Sequence, residues 1–317
     1  MRVRRYEESM AAAWDELVER ASTATFLHTR RYLSYHGERF RDFSLSLTDE
    51  KDRVVGVFPA AADPQDDKMV ASHPGISYGG LLHDGALRGE RMLEAFEALK
   101  IYYREQGFEK LRYKAVPSIY HRVPSADDIY ALFRLGAIRY RCDLSSAIDL
   151  EHRGTVSERR RRGLKKAQKR GVEVAEEAAF AESFWQVLEE NLARRFNLRP
   201  VHSLEEILKL HSLFPENVEF VTARLNSEVI GGVVLFKSRR VMHAQYTASN
   251  EIGHEACALD TLFEHCIEKA KKTAARYFSF GVSTENDGQY LNANLYQYKS
   301  EFGAGGVVHE FYDIDLT

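Results

Sequence analysis

Hydrophobic residues recur along this chain with two periods, one near two residues and one near three and a half, which mark strands and amphipathic helices respectively. In the first half, "RVRRY" reads as a strand, "SMAAAWDELVERA" as a helix and "TFLHTRRYLSYHGE" as a second helix. The alternating "FSLSLTDEKDRVVGVFPAA" then reads as a hairpin. A strand near Met69 precedes the long helix "LRGERMLEAFEALKIYYREQG", followed by strand "KLRYKAV", helix "SADDIYALFRLG" and strand "IRYRCDLSSAIDL". The second half repeats the order. Strand "VEVAEE" leads to helices "AFAESFWQVLEENLARRF" and "SLEEILKLHSLF", then to strands "VEFVTARL", "EVIGGVVLFKS" and "VMHAQYTAS". Helix "ACALDTLFEHCIEKAKKTA", strand "RYFSFGV", helix "GQYLNANLYQYKSEFG" and strand "GVVHEFYDIDL" complete it.

Each half thus reads strand, two helices, a meander of strands, helix, strand, helix, strand. The spacing is far longer than a solenoid repeat, so the pattern predicts a duplicated α/β domain. Between the halves lies "HRGTVSERRRRGLKKAQKRG", the sharpest change of composition in the chain. Ser157 suits an N-cap, Glu158 the first turn and Gly171 the position just past the end, which predicts one short basic helix. The expected division is residues 1–151 for the first domain, 152–171 for the basic linker helix and 172–317 for the second domain.

Composition narrows the class of protein. With 317 residues, 44% hydrophobic and 29% charged, the chain is of ordinary globular type and long enough for two cores. A formal net charge of −3 argues against a wholly basic nucleic-acid binder, so any anion site must be local. The first twenty residues mix charges of both signs without an apolar run of signal-peptide type, and no stretch reaches the ~18–20 apolar residues of a membrane helix. Cys142, Cys257 and Cys266 have no paired spacing. That usage fits a reducing compartment and indicates neither a disulfide framework nor a metal site. The expected location is cytoplasmic, or peripheral at the inner face of a membrane.

The order of elements, taken twice, resembles the GNAT (acyl-CoA N-acyltransferase) fold in tandem, and the fold class expected is therefore α/β (α+β) with mixed, mostly antiparallel sheets. Particular stretches sharpen this. "RRRRGLKKAQKRGVEV", "FLHTRRYL", "ISYGGLLHDG", "RFNLRPVHSLEEILKL", "HAQYTASNE" and above all "YQYKSEFGA" resemble motifs of the Fem family of non-ribosomal peptidyl transferases. The resemblance spans nearly the whole chain. It implies an enzyme that takes an aminoacyl group from aminoacyl-tRNA and delivers it to an amine, in that family usually one on a peptidoglycan precursor. It implies no cofactor and no metal. There are departures. No coiled-coil arm interrupts the second domain, and Ser34, Tyr35 and His36 stand where the family's first-domain phosphate-binding lysine falls.

Aminolysis of an activated ester needs a neutral amine, close approach and stabilisation of the developing oxyanion, with no covalent enzyme nucleophile. Lys299 is the expected oxyanion stabiliser, and Tyr298 resembles the family aromatic that stacks on the terminal base of the tRNA. A simpler account is also available. A lysine in a last turn complements the helix dipole in water, and Leu291, Leu295, Tyr298 and Phe302 share the spacing of a core stripe. In the basic helix, Arg160, Lys165 and Lys166 are candidate phosphate ligands, since positive residues fall on every helical face with few compensating acids. The alternative there is a solvated linker. Tyr78 and Asp84 in the glycine-bearing loop, and Arg199 and His202 about Pro200, are further candidate substrate contacts. So are Ser283 and Asn292 at the rim of the last helix. Gln245 and Tyr246 are candidates on the strand "MHAQYTAS". Simple alternation puts His243, Gln245 and Thr247 on one face and Met242, Ala244 and Tyr246 on the other, unless a bulge intervenes.

Acyl-CoA-dependent N-acylation, for example of an aminosugar in surface polysaccharide synthesis, is the nearest rival. The stretch "SNEIGHEACALD" has Gly253 but lacks a basic first residue and a second glycine, and it carries Glu251 and Glu255 where pyrophosphate would lie. A non-catalytic RNA-binding protein using the basic helix is the third reading. It predicts binding that weakens steeply with salt and no turnover.

Overall fold

In a computed structural model, which describes residues 1–317 apart from the side chains of Arg195 and Phe196, the predicted order of elements is realised. The chain opens with β1 (Arg2–Arg5), α1 (Ala11–Arg20) and the short α2 (Arg30–Leu33). Strands β2 (Leu45–Thr48), β3 (Val54–Phe58), β4 (Ala61–Ala62) and β5 (Met69–Ala71) come after them. Next are α3 (Glu90–Glu105), β6 (Lys110–Lys114), α4 (Asp127–Arg134) and the long β7 (Ile138–Asp149). The basic segment is α5 (Glu158–Arg170), succeeded by β8 (Glu173–Ala175), α6 (Ala181–Phe196) and α7 (Leu204–Leu213). Then run β9 (Val218–Leu225), β10 (Glu228–Lys237), β11 (Val241–Ser249), α8 (Glu251–Glu255) and α9 (Ala258–Lys271). The chain finishes with β12 (Tyr277–Val282), the short β13 (Thr284–Glu285) and β14 (Tyr290–Leu291), α10 (Ala293–Ser300) and β15 (Gly305–Asp315).

These elements form two compact units, neither of them contiguous in sequence. One is Met1–Leu144 with Thr284–Tyr290 and Val307–Thr317; the other is Ser145–Ser283 with Leu291–Gly306. In the first, β1, β2 and β3 pair antiparallel, while β5 runs parallel to β6 and β6 pairs antiparallel with β15, Tyr113 opposite Tyr312. Phe58, Phe96, Tyr103 and Tyr113 fill its core. In the second, β8, β9, β10 and β11 form an antiparallel ladder, and β12 pairs antiparallel with the Ser145–Asp149 end of β7. The core there is built on Val221, Val233, Leu235, Leu262, Phe263 and Phe278. The strand pairing is mixed and mostly antiparallel, with β5 parallel to β6 and β11 parallel to β12. No helix among the described residues is long and apolar enough to cross a membrane.

Side-chain caps set the helix starts. Ser157 Oγ accepts from the Arg160 amide to begin α5, and Gly171, at φ 75°, ends it. Ser203 and Glu206 form a capping box on α7, and Asn250 and Asn292 cap α8 and α10. Two expectations fail locally. Residues 25–38 do not form one helix: Thr25 and Thr29 cap separate short turns, and Gly37, at φ 59°, interrupts the helical turns of Ser34–Arg39. The last helix begins at Ala293 rather than Gly288, because the Asn292 side chain caps it there. Leu291 and Leu295 are accordingly 43% and 39% exposed, so the anticipated stripe reduces to Tyr298 and Phe302, the latter 1% exposed.

The second unit holds two irregularities that matter for function. Strands β11 and β12 are parallel but pair only from Val241/Tyr277 to His243/Ser279, after which β12 continues beside β7. Within β11 the register against β10 passes from Ala244–Leu235 to Tyr246–Val234, leaving Gln245 as an extra residue. That bulge turns Tyr246 onto the face of His243 and puts Thr247 with Met242 and Ala244, which replaces the simple alternation.

Close packing of α8 rests on Gly253, where a Cβ would lie 2.1 Å from the Ile230 carbonyl oxygen. Helix propensity alone favours alanine at an interior helical position by about 1 kcal/mol. The clash is with backbone and cannot be relieved by a rotamer change. Gly253→Ala should therefore destabilise the protein by about 1–3 kcal/mol in denaturant unfolding. A stabilised variant would show that α8 is free to move away.

Candidate functional site

The buried face of α5 is written in three residues, Arg160, Gly163 and Ala167, of which the first two meet Asp260 of α9. Gly163 permits the contact: a Cβ there would sit 1.7 Å from Asp260 Oδ2. Across that gap the Arg160 guanidinium donates to Asp260 Oδ1 and, at 2.9 Å, to Glu301 Oε2. It also lies 4.5 Å from the centre of the Tyr298 ring, and the Tyr298 hydroxyl donates to Asp260 Oδ1 at 3.3 Å. Burial raises the Asp260 carboxyl above its ordinary pKa, with the Arg160 charge opposing, and burial pushes the Tyr298 phenol well above its usual range. Arg160, Asp260, Tyr298 and Glu301 thus form one buried network.

A cavity of about 590 Å³ opens beside this network. Arg159, Arg160, Arg162 and Lys166 of α5 line one side; His254 and Glu255 of α8, Cys257 and the start of α9 line the other, with Tyr298 between. The positive charge of α5 is only partly offset. Arg161 pairs with Glu158, Arg170 lies 3.8 Å from Glu255 and Arg159 lies 3.9 Å from Glu301. Arg162, Lys165, Lys166 and Lys169 enter no ion pair among the described residues. Of these, Arg162 and Lys166 face the cavity, and Lys165 is exposed without lining it. Glu251, expected to repel a pyrophosphate, is instead paired with Arg194, and the Asp260 carboxylate is engaged by Arg160. Glu255 remains as the carboxylate on the cavity wall.

Lys299, one step along α10 from Tyr298, points elsewhere by the ~100° turn between successive helical residues. It is 7% exposed and its Nζ donates to the carbonyls of Gly281 (2.9 Å) and Val282 (2.6 Å), at the end of β12. Burial depresses its pKa from 10.5 to about 7. It does not line the cavity. Just past those two carbonyls in the chain, Ser283 is buried, its hydroxyl has no hydrogen-bond partner among the described residues, and its carbonyl accepts from the Asn292 amide at 2.9 Å.

The other candidates fall in two further places. His202 is buried, and its Nδ1 lies 2.5 Å from the Tyr246 hydroxyl, beside the Gln245 bulge. Arg199 is exposed on the loop after α6. Tyr78 and Asp84 belong to the first unit. There the Tyr78 hydroxyl is 3.4 Å from Thr25 Oγ1, its ring 4.6 Å from that of Tyr120, and Asp84 lies 3.7 Å from Arg20. The glycines of that loop serve packing, since a Cβ at Gly79 would meet Ser72 at 2.8 Å and Gly80 has φ 80°. No sequence signal marks Asp260, Glu301, Gly163 or Cys257. An aspartate in a first helical turn reads as a dipole complement, so nothing local identifies Asp260 as the partner of an arginine a hundred positions away.

Comparison with known proteins bears on the fold that carries this site. Residues 152–300 match the acetyltransferase (GNAT) domain family. Among solved structures, FemX superposes with a TM-score of 0.70 at 11% identity, covering 99% of this chain and 97% of that one. The C-terminal domain of a putative lysylphosphatidylglycerol synthetase from Agrobacterium fabrum gives 0.61 at 10% identity, covering 96% and 92%. A tandem GNAT protein from the clavulanic acid biosynthesis pathway gives 0.54 at 10% identity, covering 99% and 98%. No curated protein matches the chain. At such identities the structural likeness speaks for the fold. The chain has the mixed α/β fold of tandem GNAT proteins, and its residues 152–300 are similar to the acetyltransferase (GNAT) domain.

Proposed function

We propose that the protein is an aminoacyltransferase that moves an aminoacyl group from aminoacyl-tRNA to an amine of a peptidoglycan precursor or related small molecule. The observation that carries this reading is the pair Tyr298–Lys299: a phenol ring on the wall of a basic cavity and, on the next residue, a buried ammonium. Arg162 and Lys166 supply charge for the phosphates of the donor's 3′ end, and Tyr298 supplies a face for its terminal base. The ester extends from the cavity to the end of β12, where the amine attacks its carbonyl and Lys299 Nζ, off the cavity wall and anchored by two carbonyls, meets the oxyanion that forms. FemX and the lysylphosphatidylglycerol synthetase domain among the fold neighbours support the choice of donor.

A second reading, N-acylation from acyl-CoA, is favoured by the match to an acetyltransferase domain and by the pairing of Glu251 with Arg194, which occupies one of the two carboxylates expected to repel a pyrophosphate. Incubation with separate pools of charged tRNAs and with acetyl-CoA, using aminosugar and peptide acceptors, decides between them. Transfer from aminoacyl-tRNA supports the first reading; transfer from acetyl-CoA alone overturns it.

Lys299→Ala should lower turnover at least ~100-fold without unfolding the protein, the loss typical of removing one oxyanion donor. The pH dependence has a definite sign. The ammonium is the active form and burial brings its pKa down to about 7, so this group's contribution declines as pH rises through 7, not through 10.5. Lys299→Arg should shift that descending limb of kcat/KM upward by more than one pH unit. An unmoved limb would assign it to another group. Replacing Arg162 and Lys166 together by Ala should weaken tRNA binding ~10-fold or more and reduce the slope of log affinity against log salt by about 2. An unchanged slope would take α5 out of the donor site.

A further inference from the structure

The proposed chemistry also needs a group to take the proton released when the amine becomes an amide, and Lys299, as a cation, does not supply one. On the described face of the second unit that carries His243, a different pair is already hydrogen-bonded. Tyr246 reaches this face because Gln245 is bulged out of β11. Its hydroxyl lies 2.5 Å from His202 Nδ1 and also accepts from the His202 backbone amide at 3.3 Å. The capping box of Ser203 and Glu206 fixes the backbone immediately after His202, and the Trp185 ring packs 5.2 Å away, edge to face, against the phenol. His202 is buried while Tyr246 is only partly so, which leaves the phenol as the outer member of the pair. With one lone pair of the phenol oxygen taken by the amide N–H, the hydroxyl proton and the second lone pair are left for Nδ1. β11 and β12 cease to pair at His243, three residues before Tyr246, so the pair stands where the parallel strands part.

Building on the aminoacyl-transfer reading, we propose that Tyr246 and His202 are the proton relay of the reaction. The C–N bond forms as the ester C–O bond breaks. The amine proton passes to Tyr246 Oη while the phenol's own proton passes to His202 Nδ1. The imidazolium then returns a proton through Tyr246 to the departing alkoxide oxygen, so the relay ends as it began. The relay requires that His202 rest as the Nε2–H tautomer, with Nδ1 accepting.

Two measurements test this. Nitrogen-15 NMR of histidine-labelled protein should show His202 Nδ1 unprotonated and accepting, with its resonance shifted in Tyr246→Phe; a protonated Nδ1 overturns the relay whatever the substrate. In turnover with the donor that supports transfer, Tyr246→Phe and His202→Gln should each lower kcat ~100-fold or more with KM within ~3-fold, the scale of general acid–base catalysis. The double variant should fall no further than the weaker single one, because the two act as a unit. Tyr246→Phe retaining more than about a third of wild-type kcat overturns the inference, as does loss confined to His243→Asn. If the wild-type protein is inert toward both donors, the aminoacyl-transfer reading fails, and the tautomer result alone then decides the relay.

Discussion

The second unit is organised around one ion pair, Arg160 with Asp260. Both side chains are buried, and a buried pair of this kind is a poor source of net stability but a strict constraint on geometry. Removing one partner strands the other charge and costs about 3–5 kcal/mol, far more than an exposed pair. The pair fixes α5 against α9, and Gly163 is what lets the two helices come close enough for it to form. Glu301 and Tyr298 join the same network, so the start of α9, the first turn of α5 and the end of α10 are located together. The cavity exists because these three helix segments are held in register.

The charge run of α5 accordingly divides into two kinds of residue. Arg160 faces inward and is a structural member of the network, although its type and neighbours in sequence are those of a phosphate ligand. Arg162 and Lys166 face the cavity, enter no ion pair among the described residues and keep their charge available. The same economy appears on α10, where Tyr298 is shared between network and cavity while Lys299 is turned to the carbonyls at the end of β12. A lysine buried against carbonyls and without a carboxylate has its ammonium desolvated and uncompensated, which is why its proton is loosely held.

Much of this is readable from the chain. The order of elements comes directly from the hydrophobic periods, and Ser157 with Gly171 marks both ends of α5, as Ser203 and Glu206 mark the start of α7. The features that escape are non-local. The partner of Arg160 is set by tertiary packing, and no spacing rule connects it to Asp260. The bulge at Gln245 carries no glycine or proline, so alternation misassigns the face of Tyr246 and hides its relation to His202. The early start expected for the last helix has its own cause: Tyr290 and Leu291 pair as β14 with β13, and the Asn292 cap starts the helix after them. The resemblance of "YQYKSEFGA" to a family motif points to Tyr298 and Lys299, whereas their helical spacing with Leu291 and Leu295 points to an apolar stripe that does not form.

The interleaving of the two units bears on how the chain comes to be folded. Strand β6 of the first unit finds its antiparallel partner in β15, nearly two hundred residues later. During synthesis, at roughly 5–20 residues per second, β6 must wait tens of seconds with its hydrogen-bonding edge open while the whole second unit is made and can fold. The apolar residues that will lie under that edge are meanwhile exposed to any passing strand. A slow final step of long sequence separation, and a need for protection until it is complete, are therefore written into the topology.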